Sequence, residues 1–154
     1  MMLMRRRLLQ CSAALACPSV WAQGHGAPWL ITPEEARQLA ADLDAPLFAT
    51  RAAGAPVIEV LRPTVSETAL PSPVPIELAF KPAAGASIAP ESFRVFYGVF
   101  KLDLTQRLLA SVKVQPDGLR VEQAAIPSGQ HRLVLQVSDN QGRTGTRELR
   151  FSVA

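Results

Sequence analysis

The chain has almost no cysteine. Its only two, Cys11 and Cys17, lie within the first 22 residues. Beyond them there is no disulfide, no thiolate metal site and no thiol nucleophile, so the rest of the chain must hold together by its core. Histidine is scarce too, with only His25 and His131. There is no G-x-S-x-G, no H-E-x-x-H and no phosphate-cradling glycine loop, so the usual hydrolase, zinc and nucleotide signatures are missing. No apolar run approaches the roughly 20 residues needed to span a bilayer.

An excess of positive charge is also missing once the N-terminus is set aside. The whole chain has 16 Lys and Arg against 13 Asp and Glu. Arg5, Arg6 and Arg7 supply the difference, and the remaining 132 residues beyond Ala22 balance at 13 of each. Counterion-release binding to nucleic acid therefore has no support in the composition.

The first 22 residues read as a secretory signal peptide. Arg5–Arg7 form a positive n-region, "LLQCSAALACPSVW" is a short apolar stretch, and Val20-Trp21-Ala22 offers a cleavage site after Ala22. The run "RRRLLQ" fits the twin-arginine export route as well as the general one. A lipoprotein reading through Cys17 is weaker, because Pro18 follows it. The expected location is periplasmic or secreted, with no transmembrane segment once the signal is removed. About 132 residues suffice for one good core.

The remaining chain is patterned. Residues 23–31 read as a flexible leader. "TPEEARQLAADL" (32–43) reads as a short helix, with Thr32 as N-cap, Pro33 at the first helical position and Glu35 completing a capping box. Residues 44–56 read as a linker. From Val57 to Ala154 the apolar period becomes 2. The expected strands are "VIEVLR", "VPIELAF", "FRVFY", "SVKV", "LRVEQ", "HRLVLQV" and "RELRFSV". "DLTQRLLA" reads as one or two helical turns, with Asp103 as cap. Pro75 lacks a ladder donor and belongs at an edge or a strand end. Seven short strands with regular turn signals predict an all-β, antiparallel sandwich of immunoglobulin-like type with a short N-terminal helix. "FRVFY" and the last two strands are expected to share a sheet.

"PVPIELAFKPAAGASIAPESFRV" followed by "IPSGQHRLVLQVSDNQGRTGTRELRFSV" resembles the bacterial immunoglobulin-like domains of secreted and cell-surface proteins. The resemblance covers roughly residues 57–153. It implies architecture more than function. The antibody-type cysteine pair and core tryptophan are absent, since the only tryptophan beyond the signal is Trp29.

Candidate sites are few. Ser128 and His131 lie close in sequence, with no acid placed to orient the histidine. Asp139 in "SDNQG" is a lone carboxylate, too few for a calcium loop, and reads as a turn residue. Cleavage after Ala22 would leave Gln23-Gly24-His25, whose amine, amides and imidazole can wrap Cu(II) or Ni(II) in a square plane. The fold is distantly similar to small periplasmic copper-binding sandwiches, which carry a second histidine in a late D-G-H turn. Here that turn reads Asp139-Asn140-Gln141-Gly142, without the histidine. The remaining candidate is a surface. Arg94, Phe96, Arg132, Val134 and Arg150 are expected on one outward sheet face, an aromatic ringed by arginines. The alternative is that the helix stripe Ala36, Leu39, Ala40 and Leu43 packs there. The reading favoured is a non-catalytic module, needing no cofactor, that binds an envelope protein or polymer. A small metal-binding protein is the alternative.

Overall fold

Strict alternation makes β2 (Val74–Lys81) the plainest strand: Val74, Ile76, Leu78 and Phe80 are buried, and the residues between them are not. In the computed structural model, which describes residues 29–39, 53–64 and 68–154, six more strands surround it. They are β1 (Val57–Arg62), β3 (Ile88–Tyr97), β4 (Leu102–Asp103), β5 (Gly118–Ala124), β6 (Gly129–Asp139) and β7 (Thr144–Val153). They form two antiparallel sheets, ordered β1-β2-β5 and β4-β3-β6-β7. The protein is an all-β sandwich, with "FRVFY" and the last two strands in one sheet. The inward residues of both sheets make one core. Phe80 of β2 meets Phe93 of β3 across it, ring centroids 5.6 Å apart.

Two helices close one end of the sandwich. α1 (Pro33–Leu39) starts with the capping box: Glu35 N donates to Thr32 Oγ1 at 3.2 Å, and Thr32 N donates to Glu35 Oε2 at 2.8 Å. Residues 40–43 of the expected helix lie outside the described residues, as do residues 1–28 with the signal segment and most of the 44–56 linker. The end of the leader belongs to the fold. Leu30 and Ile31 are core residues, and Leu30 N donates to Ala125 O at 3.0 Å. α2 (Thr105–Leu109) follows β4; its N-cap is Leu104 rather than the expected Asp103, which sits one residue earlier with Oδ1 accepting from Thr105 N at 2.8 Å.

One expected strand needs correction. "SVKV" is not a strand: only Gln115 pairs with Gly118 across the tight turn, and residues 112–114 carry no ladder. The chain diverges there because Val112 and Val114 pack on the core beside the sheets. Pro75 belongs to the central strand of its sheet but sits at that strand's start, as the second residue of β2, so the strand-end placement holds. It is tolerated because β1 ends at the Arg62–Glu77 pair, and because the β2–β5 register shifts between Val74 and Ile76, with an extra β5 residue opposite Pro75.

The sheets also meet at one glycine. A Cβ on Gly145 of β7 would lie 2.0 Å from the Pro56 carbonyl oxygen. Only glycine lets the start of β1 pass so close to β7.

Candidate functional site

The register gathers the five expected face residues. Phe96 lies beside Val134 and Val134 beside Glu148; Arg94 lies beside Gln136, and Arg132 beside Arg150. The face is not an open hot spot, however. Arg132 is 1% exposed and Val134 3%. Phe96 is half-buried, and only Arg94 and Arg150 are exposed. Glu148 organises this face by holding two arginines: Arg132 Nε lies 2.9 Å from its Oε1, and Arg150 Nε bonds the same oxygen.

Arg94 has a different task. Its Nη1 donates to the carbonyls of Glu91 at 2.8 Å and Phe93 at 2.7 Å. Nearby, Thr105 Oγ1 accepts from Val95 N at 3.0 Å, and Leu104 N donates to Val95 O at 2.9 Å. Side chains and a tight turn therefore occupy the groups that a bare β3 edge would offer to a stray strand.

The helix packs at the end of the sandwich. Leu39 lies against Gly98, where an added Cβ would come within 3.2 Å of its own. Pro33, Ala36 and Arg37 face the 127–131 segment across a crevice of about 290 Å³. His131 lines that crevice but is 1% exposed. Its Nε2 lies 2.8 Å from Pro127 O, which can only accept, so Nε2 carries the proton. Nδ1 then accepts from the Tyr97 hydroxyl at 3.0 Å. With both nitrogens engaged, the ring is not placed to deprotonate Ser128. Burial holds the imidazole below its usual value, against the hydrogen bond to Pro127. Burial likewise raises Tyr97, with help from the Glu35 charge.

Asp139 is a turn residue. Its Oδ1 accepts from Gln141 N at 2.9 Å and Arg143 N at 3.0 Å, and its Oδ2 accepts from Arg143 Nε at 2.7 Å. Burial pushes its carboxyl up, but these hydrogen bonds outweigh it and hold the carboxyl below the usual range. Gln23, Gly24 and His25 lie outside the described residues. Among the described residues no group of three or more His, Cys, Asp or Glu is placed to hold a metal ion, and no helix is long and apolar enough to cross a membrane.

The strongest surface feature was not foreseen. Phe100, in the turn between β3 and β4, is 76% exposed, the highest among the exposed large apolar side chains of the described residues. The turn is fixed on both sides: Tyr97 pairs with Leu102, Gly98 N donates to Arg132 O at 3.0 Å, and Lys101 takes a left-handed φ of 52°. The sequence signal was available. "GVFKLD" puts three apolar residues between Gly98 and Asp103, two of them in a turn where polar residues are usual.

The comparisons return nothing. No family model, curated protein or solved structure matches this chain.

Proposed function

We propose that this chain is an exported, non-catalytic interaction module of the bacterial immunoglobulin-like type, acting in the periplasm or outside the cell. It binds a protein or a cell-envelope polymer through loops at the end of the sandwich. The observation that carries this reading is Phe100. An aromatic ring 76% exposed on a turn held by backbone pairing is a pre-organised anchor, with little ordering left to do on binding. The sheet face offers less to a partner, since Arg132 and Val134 are buried.

The test is enrichment of a partner from an envelope extract of the native host, using wild-type protein, Phe100→Ser and Arg150→Ala. The expected result is a component held by wild type and Arg150→Ala and lost with Phe100→Ser, while circular dichroism shows all three folded. A component held equally by Phe100→Ser contradicts the role given to this turn.

A further inference from the structure

His131 is a titratable ring placed where its charged form has no good environment. Tyr97 lies on one side, centroids 5.8 Å apart, and Phe151 on the other, at 5.6 Å. Both ring nitrogens are committed as the neutral Nε2–H tautomer requires. A second proton would sit on Nδ1, pointing at the Tyr97 hydroxyl. That hydroxyl would have to turn and accept, and its own proton would face a core in which Tyr97 is 2% exposed. The ring's way to water is the crevice between the 127–130 turn and α1, of which Pro33 and Ala36 form the far wall.

We propose that α1 is a pH-sensitive cap over the end of the sandwich, held down while His131 is neutral and released when acid charges it. This does not depend on what the Phe100 turn binds. It adds a control: an exported protein meets the acidity of its surroundings, and the cap lies at the same end of the fold as that turn.

Among the described residues, the groups facing His131 leave it as the one that titrates. On β3, Tyr97 is neutral throughout, its hydroxyl pushed up by burial. On α1, Glu35 stays ionised because Arg107 of α2 holds it at about 2. Arg37 of α1 is a fixed cation at the crevice rim, paired with Glu34 at 2.8 Å, and opposes a second positive charge there. The 127–130 turn brings no titratable side chain, and β7 brings Phe151. Released, α1 would unwind, since seven residues cannot hold a helix alone.

The sign follows from burial. The neutral ring is favoured in the closed state, so the cap is fully held above about pH 6.5, the ordinary histidine value, and loosens as pH falls below it. With an ordinary pKa in the open state, the opening equilibrium rises by up to about thirtyfold between pH 7.5 and pH 5.0.

The test is hydrogen exchange of the 30–39 segment in the full chain across that range, corrected for intrinsic rates, with the NMR titration of His131 alongside. The expected result is opening that rises toward thirtyfold as pH falls below about 6.5, while His131 in the closed state titrates below that ordinary value. His131→Gln should abolish the rise, and His25→Gln should leave it. A rise below about threefold, or one that survives in His131→Gln, overturns the proposal. Should His131→Gln fail to fold, the wild-type titration decides: a His131 midpoint below about 6.5 supports the cap, and one at or above that value overturns it.

Discussion

Glu35 and Arg107 meet in a two-point ion pair, with Oε2 2.8 Å from Nη1 and Oε1 3.0 Å from Nη2. The same Nη1 donates to Leu30 O at 3.0 Å. One arginine of α2 thus ties down both α1 and the backbone leading into it. Glu35 has a third partner in Thr32 N, so a single carboxylate caps its own helix and docks it. The bond from Arg107 is the main reason its pKa falls from 4.5 to about 2.

That lowered value has a signed consequence. A carboxylate favoured by the fold stabilises it fully above pH 4.5, and the contribution is lost as pH falls from 4.5 toward 2. Both side chains are partly solvated, so screening keeps the pair's worth to about 0.5–1 kcal/mol. Urea unfolding at a series of pH values should show Glu35→Gln destabilised by that amount at pH 7 and equal to wild type near pH 2.

Val134 separates a structural face from a binding face. Val134→Asp would bury an uncompensated charge at a site 3% exposed and should cost more than about 3 kcal/mol. Arg150→Ala, on the same face but exposed, should change stability by less than about 0.5 kcal/mol beyond loss of its bond to Glu148. Paired denaturant curves measure both.

Gly145 is tested by one methyl group. Gly145→Ala would drive a carbon to 2.0 Å from Pro56 O, backbone that cannot swing aside. The expected loss is about 1–3 kcal/mol, read from the shift in urea midpoint. Gly142→Ala is a poor control, because its φ of 76° adds a strain of its own.

Much of this fold was legible because alternation has only one meaning in a half-buried strand. Val74 to Phe80 and Leu133 to Val137 name their inward faces directly. Thr32 and Glu35 announced the start of α1 by capping chemistry alone. Residues 112–114 look like a strand locally, but whether such a segment pairs depends on where the next sheet lies, and local pattern does not carry that. The face of Arg132 and Val134 failed for a related reason: period 2 tells which side a residue takes, not whether that side is covered. Pro75 falls at a strand end as the rule requires, and the extra residue in β5 opposite it lies 47 or 48 positions away, beyond the reach of local pattern. Phe100 carries no periodic signal, because it lies in a turn, where apolar spacing defines no face.

The most direct test of the interaction reading places a photo-activatable benzoylphenylalanine at position 100 of the full chain in the native host, with the same probe at Lys81, exposed on β2, as control. Illumination should yield one discrete adduct from position 100 and none from position 81. No adduct from position 100, or the same adducts from both positions, would contradict the account.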